Sequence, residues 1–141
     1  MDGFAEDDIA GRLAFVVGRF NRRLRSATGG LSHGLLSALA SVRKAGPIRF
    51  ADLAQIEQVS APSITRVVAE LEARGLVTRA PDPHDRRASL VEATPAGLDA
   101  VLRARAARGA VVAELLELLD AAERDAVVAA LPALERMIDD A

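Results

Sequence analysis

Apolar residues recur along the first third of the chain with the spacing of helices. Between residues 9 and 24 they fall every three or four positions, the period of a helix with one face against a core. Thr28-Gly29-Gly30 interrupts this pattern and is typical of a loop. Ser32 is a suitable N-cap for a second helix that runs to about Ala45, and Ile48-Arg49 is long enough for only one arm of a small sheet.

Two short helices and a hairpin are predicted next. A third helix covers about residues 50–58, and a fourth begins at an N-cap on Ser60 with Pro62 in its first turn, where a missing N–H is tolerated. The residues expected to face the core are Leu53, Ala54, Ile56, Ile64, Val67, Val68 and Leu71. Strands over about 76–80 and 88–93 flank a polar, proline-bearing turn. This is the order of a winged helix-turn-helix, whose second helix enters the DNA major groove.

The remaining chain is predicted to form two further helices. Thr94-Pro95 combines a capping residue with a proline at the first helical position, and this helix runs to about Leu119. Asp120 and Glu123 have the spacing of a capping box for a last helix, which Pro132 is expected to kink or divide. The predicted fold is mainly α with a small β-hairpin wing (α+β), in the order α-α-(β)-α-α-β-β-α-α.

Length and composition limit the class of protein. A chain of 141 residues that is 50% hydrophobic is one domain that can bury a core. It has no cysteine, which excludes disulfides and thiolate chemistry, and its two histidines provide few ligands for a metal site. No apolar run has the length of a membrane span, and the acidic N-terminus is unlike a signal peptide. We therefore expect a cytoplasmic protein with no cofactor, metal or membrane partner.

The net charge of −2 conceals a segregation of charge along the chain. Residues 9–111 carry 16 basic and 8 acidic side chains, whereas residues 1–8 and 112–141 are acidic. All but one of the bases are arginine, which suits bidentate contacts to phosphates and base edges. A basic middle between acidic ends favours a polyanionic partner, although an ordinary mixed surface would have the same composition.

The predicted fourth helix has one face suited to reading DNA. With its apolar residues turned to the core, the opposite face carries Pro62, Ser63, Thr65, Arg66 and Ala69. Small and hydrogen-bonding side chains let a helix approach base edges closely. The alternative is a solvent-exposed face that is small and polar by chance.

The turn of the predicted hairpin carries Asp85, Arg86 and Arg87. An arginine at the end of a narrow hairpin can enter the minor groove, where the negative potential is strong. A nearby carboxylate can hold the guanidinium while other donors stay available. Alone this tripeptide is a weak signal, but its place after a recognition helix and between two strands predicts a DNA contact.

A series of motifs occurs in a fixed order over residues 51–98. The motifs are Ala54, the turn at Val59-Ser60, Ser63-Ile64-Thr65-Arg66, Leu71-Glu72-Ala73-Arg74-Gly75-Leu76-Val77, Asp82-Pro83-His84-Asp85-Arg86-Arg87 and Thr94-Pro95-Ala96-Gly97. The series resembles the MarR family of bacterial transcription regulators, named for multiple antibiotic resistance. The resemblance implies a homodimer that binds a palindromic operator, most often as a repressor, without catalysing a reaction.

The resemblance also assigns roles by position. The residues implied to face the major groove or its phosphates are Ser60, Pro62, Ser63, Thr65 and Arg66. Arg87 would enter the minor groove with Asp85 as its anchor, and Arg86 would contact a phosphate.

The terminal helices carry more apolar residues than the end of a small domain needs. These residues are Val111, Val112, Leu115, Leu116, Leu118, Leu119, Val127, Val128, Leu131, Leu134 and Ile138. Unless they pack only within the chain, burying them against a partner's first helix favours a two-fold dimer. We therefore expect a single MarR-like chain over residues 1–141, with a winged helix-turn-helix DNA-binding region at 32–94 and a helical dimerisation region at 6–27 and 95–140.

In the family, effectors generally bind between the dimerisation helices and the DNA-binding region. The resemblance thus implies a pocket for a small molecule, such as a phenolic or other aromatic compound. The lining residues placed by this analogy are Phe15, Arg19, His33, Leu36 and Arg43. The segment Leu31-Ser32-His33-Gly34 departs from the usual family sequence, which leaves the effector open, and for His33 a capping or surface position is favoured over a ligand contact.

Two other classes of protein are alternatives to a DNA-binding regulator. A winged-helix adaptor that binds protein without DNA would have the same fold, but would not retain DNA in a salt-dependent way. An enzyme is disfavoured because the sequence has no nucleophile–base spacing, paired-carboxylate site, Gly-rich phosphate loop or metal cluster.

Overall fold

The computed structural model describes residues 8–139, which divide into two compact units, one ending at Arg108 and one starting at Gly109. The first unit contains α1 (Ile9–Leu24), α2 (His33–Ala45), β1 (Ile48–Arg49), α3 (Phe50–Glu57), α4 (Ala61–Ala73), β2 (Val77–Pro81), β3 (Ser89–Ala93) and most of α5 (Pro95–Leu116). The second unit contains the end of α5 and α6 (Ala121–Asp139). The predicted fold class and order of elements are confirmed. Residues 6, 7 and 140 of the predicted dimerisation helices lie outside the described residues.

The three strands form an antiparallel sheet in the order β1-β3-β2. Ile48 pairs with Val91 and Arg49 with Leu90, so the short segment between α2 and α3 supplies an outer strand. β2 and β3 pair along their full length as the predicted hairpin, and each strand begins one residue later than expected.

Helices α2, α3 and α4 share one hydrophobic core with the sheet. Its largest fully buried side chains are Leu39, Val42, Leu53, Ile64, Val68, Leu71, Val77 and Val91. The expectation that Ile56 is buried is wrong, because this side chain is 54% exposed. Ile56 lies about 60° round the helix from the buried Leu53 but about 160° from the buried Ala54, so it stands at the edge of the buried face of α3 and not at its centre.

Local signals in the sequence set the ends of the helices on both sides of the helix-turn-helix turn. Gln58 ends α3 in the left-handed conformation with φ of 54°, and its N–H bonds the carbonyls of the last turn. The Ser60 hydroxyl then accepts the N–H of Ser63 at 3.3 Å as the N-cap of α4. Gly75, with φ of 72°, lets the chain leave α4 for β2.

The second unit confirms the capping box and corrects the end of α5. The Asp120 carboxylate accepts the N–H of Glu123 at 2.8 Å, and the Glu123 carboxylate accepts the N–H of Asp120 at 3.0 Å. α5 ends at Leu116, about one turn earlier than expected, where the Arg124 guanidinium donates to the Leu116 carbonyl at 2.9 Å. Pro132 lies inside α6 and does not divide it.

Within the described chain, neither α1 nor α6 has a buried residue. Each helix nevertheless carries a set of exposed large apolar side chains. On α1 these are Ile9, Phe15, Val16, Val17 and Phe20, and on α6 they are Val127, Val128, Leu131, Leu134, Met137 and Ile138. Across residues 8–139, no helix has both the length and the apolar character needed to cross a bilayer.

Candidate nucleic-acid interface

The solvent face of α4 carries the residues predicted to read DNA. The buried stripe of Ile64, Val68 and Leu71 fixes which side of the helix faces the core. On the other side, Ser60, Pro62, Thr65 and Arg66 are exposed, and Ser63 is half-buried. The predicted recognition residues thus lie together on an accessible helix surface with small side chains.

Hydrogen bonds order the first turns of this face. The Ser60 hydroxyl donates to the Ser63 hydroxyl at 2.9 Å, and the Arg66 guanidinium donates to the same Ser63 oxygen at 3.4 Å. The Thr65 hydroxyl donates to the Ala61 carbonyl at 2.9 Å. The Ser63 contact places the Arg66 guanidinium beside the N-terminal turn of α4, where the helix dipole favours an anionic partner.

The wing tip is ordered through its backbone. The Asp85 carboxylate accepts the N–H of Arg87 at 2.9 Å, and the Asp85 carbonyl accepts the N–H of Ala88 at 3.0 Å. Asp85 therefore holds the main chain at Arg87 and not, as expected, the Arg87 guanidinium. Both Arg86 and Arg87 are exposed.

A buried carboxylate closes the base of the wing. One oxygen of Asp82 accepts the N–H of His84 at 2.8 Å, and the other accepts the Nε–H of Arg49 at 2.5 Å. The His84 N–H and, after it, the Arg49 guanidinium hold the pKa of Asp82 below its ordinary value, against the opposing effect of burial. The sequence analysis missed this pair, although Asp82 opens the motif that ends at Arg87.

Two further contacts tie the wing to its neighbours. The Arg79 guanidinium lies 3.0 Å from the Glu72 carboxylate at the end of α4, with its central carbon 5.3 Å from the centre of the Phe50 ring. At the start of α5, the Thr94 hydroxyl donates to the Gly75 carbonyl at 2.7 Å. The backbone of Gly97 packs so closely against Leu76 that a Cβ atom added at Gly97 would be 2.0 Å from the Leu76 carbonyl oxygen.

Ion pairing separates the basic residues of this region into two groups. Arg49, Arg74 and Arg79 each pair with a carboxylate. Arg66, Arg86 and Arg87 form no ion pair with any residue between 8 and 139. The unpaired charges are those on the predicted contact surface, where phosphates would be favourable partners.

A separate cavity of about 320 Å³ lies along α2 in the first unit. It is lined by His33, Leu36, Ser37, Ala40, Ser41, Lys44 and Arg108, so it includes two of the predicted effector residues. Arg43 does not line it, because α2 presents to the cavity the i, i+3, i+4 stripe that begins at His33. Phe15 and Arg19 are also not among its lining residues, and on α1 they lie against each other with 5.7 Å between the guanidinium carbon and the ring centre.

The fold and the basic surface together define the class of the protein. Two helices are joined by a tight turn, the second has one exposed polar face, and a hairpin with arginines at its tip follows. This is a winged helix-turn-helix DNA-binding protein.

Comparison with known proteins narrows the class to one family. Residues 31–89 match the profile of the MarR family. The chain is 37% identical over 134 residues, 94% of both chains, to an uncharacterised HTH-type transcriptional regulator of Mycobacterium bovis. It is 39% identical over 102 residues to the HTH-type transcriptional repressor NicR of Pseudomonas putida, covering 72% of this chain and 62% of that one. The crystal structure of wild-type apo MarR from E. coli is similar with a TM-score of 0.75 and 25% identity, over 95% of this chain and 98% of that one.

The chain therefore belongs to the MarR family of transcription regulators. Members of this family bind DNA and are not enzymes.

Proposed function

We propose that the protein acts in the cytoplasm as a homodimeric repressor at a palindromic operator. Each subunit inserts α4 into a major groove through Ser60, Pro62, Ser63, Thr65 and Arg66. Arg87 enters the adjacent minor groove, Asp85 holds the backbone of the tip, and Arg86 contacts a phosphate. The observation that carries this proposal is the contrast in ion pairing: Arg49, Arg74 and Arg79 are each neutralised by a carboxylate, whereas Arg66, Arg86 and Arg87 on the proposed contact surface have no ion-pair partner among residues 8–139.

Residues 32–94 form the DNA-binding region in this proposal, and residues 6–27 and 95–140 form the dimerisation region. The apolar side chains exposed on α1 and α6 support the assignment, because a second copy would remove them from water. Repression, rather than activation, is supported by the similarity to a relative named as a repressor.

We also propose that a small aromatic acid or phenol binds in the cavity along α2. Leu36 and Ala40 offer an apolar wall, and the cations of Lys44 and Arg108 would attract a negatively charged group. The Arg108 Nε atom is buried without a hydrogen-bond partner in the described chain, which favours a polar ligand atom there. A ligand that favours a non-binding arrangement of the two DNA-binding regions by about 1–3 kcal/mol would lower the affinity for the operator several-fold or more.

The test is selection of bound duplexes from a random DNA pool, followed by titration of the enriched sequence. We expect an inverted repeat whose half-sites lie about 10 base pairs apart, or a multiple of that spacing. With roughly 6–10 phosphate contacts per dimer, the affinity should fall about 10³–10⁵-fold between roughly 50 and 200 mM salt. A pool that is not enriched, with no salt-dependent retention, would instead indicate a winged-helix adaptor that binds protein.

A further inference from the structure

An ion pair connects β1 with the residue that directly follows β2, at the base of the wing. β1 and β2 each pair with β3 and not with each other. Arg49 lies opposite Leu90, which lies opposite Ala80, so these three residues share one face of the sheet. Asp82 follows Ala80 by two positions and continues that face. The Arg49 side chain thus reaches across β3 to place its Nε atom 2.5 Å from the Asp82 carboxylate.

The same carboxylate organises the loop that carries Arg87. Its second oxygen accepts the N–H of His84, and the Asp82 N–H donates to the Ala88 carbonyl at 3.1 Å. The loop from Asp82 to Ala88 is therefore closed at its base, and Asp85 orders the tip inside it. Hydrogen bonds therefore connect Arg49 to the backbone of Arg87 by way of Asp82, Ala88 and Asp85.

We propose that Arg49 is a positioning residue of the DNA interface, acting through Asp82 to hold the wing in the orientation that aims Arg87 at the minor groove. The proposal rests on the proposed role of Arg87. The Asp82 side chain is 3% exposed, so removing Arg49 would leave a buried carboxylate without its charged partner. The loop would then sample more orientations, and ordering it again would weaken DNA binding.

Arg49 is itself 44% exposed, so a direct phosphate contact is the rival explanation. The two explanations differ in whether the effect of Arg49 depends on Arg87. A residue that positions Arg87 has little left to do once that side chain is removed, whereas a separate phosphate contact contributes in either background.

The experiment is a double-mutant cycle on the full-length dimer, with wild type, Arg49→Ala, Arg87→Ala and the double variant. The probe is a duplex carrying the sequence that the wild-type protein enriches from a random pool. We expect Arg49→Ala to weaken binding roughly five- to ten-fold when Arg87 is present and less than about two-fold when it is absent. Arg49→Lys should recover part of the loss, since it keeps the charge without the fixed guanidinium geometry. Arg103→Ala, which removes an exposed ion pair on α5, is the control; with sedimentation showing that its dimer is intact, it should leave affinity unchanged.

Hydrogen exchange provides a readout that a direct DNA contact would not change. In the DNA-free protein, Arg49→Ala should speed amide exchange in the 82–88 segment and leave the core amides of α2 unchanged. Equal losses of affinity in both backgrounds, or unchanged exchange in that segment, would overturn the positioning role alone. Wild-type affinity for Arg87→Ala would overturn the proposed role of the wing and this inference with it.

Discussion

The winged helix-turn-helix region and the terminal helices differ in how far their apolar side chains are exposed to solvent. Helices α2, α3 and α4 and the sheet turn theirs inward, and side chains such as Leu39 and Val68 have no exposed surface. α1 and α6 leave their large apolar side chains at the surface, with Ile9 at 75% exposure and Ile138 at 77%. The first region buries its apolar side chains within one chain, whereas the exposed apolar side chains of α1 and α6 are those that the proposed dimer would cover.

The largest effect should come from placing a charge in the apolar stripe of α6. Leu131→Glu would put a carboxylate into the proposed dimer interface, where an unpaired charge is strongly disfavoured. We expect the dimer to dissociate and DNA affinity to fall by about 100-fold or more, because one monomer engages only one half-site. Sedimentation equilibrium and a gel-shift titration measure the two effects.

Ala129→Glu is the matched control for that substitution. It adds the same charge about 200° round the helix from Leu131, so the dimer should persist. A dimer that tolerates Leu131→Glu as well would refute the assignment of α6 to the interface.

Substitutions at two glycines of α5 test how tightly the start of this helix packs against the winged helix-turn-helix region. Gly97→Ala would bring a Cβ atom within 2.0 Å of the Leu76 carbonyl oxygen, so it should lower the free energy of unfolding by about 1–3 kcal/mol. Gly109→Ala meets no atom within 4 Å and should raise helix stability by about 1 kcal/mol. Urea unfolding of both variants tests the opposite signs, and equal shifts would contradict the packing at Gly97.

The smallest expected effect is the pH dependence of the stability that the Asp82 carboxylate contributes at the base of the wing. The pKa of Asp82 is lowered in the folded chain, first by the His84 N–H and then by the Arg49 guanidinium. The ionised carboxylate therefore stabilises the fold above its unfolded-state pKa of about 3.9, and this contribution disappears as the pH falls through the lower folded-state pKa. The stability difference between wild type and Asp82→Asn should accordingly shrink between about pH 6 and pH 3. A difference that is constant across this range would show that the charge of Asp82 contributes nothing.

Local chemistry made most of the fold predictable from sequence. The Ser60 cap, the apolar stripe of α4 and the capping box at Asp120 act over a few residues, so periodicity and spacing suffice to find them. The exposed face of α4 follows directly from its buried face. The wing could also be predicted from the sequence, because two short strands around a proline-bearing turn are a local signal.

The missed features depend on contacts between distant segments. The pairing of Arg49 with Asp82 requires the register of three strands, which no local pattern specifies. Ile56 has the composition of a core residue, and its exposure is decided by which face of α3 the other helices cover. The composition of the cavity along α2 likewise depends on Arg108, which is remote in sequence from the rest of its lining.

The most direct test of the account is a titration of the enriched duplex with wild type, Arg87→Ala and the control Arg103→Ala. Removing a minor-groove guanidinium from both subunits should weaken binding about ten- to a hundred-fold, while sedimentation shows an intact dimer and Arg103→Ala binds like wild type. Wild-type affinity for Arg87→Ala would contradict the claim that the wing of this protein reads DNA.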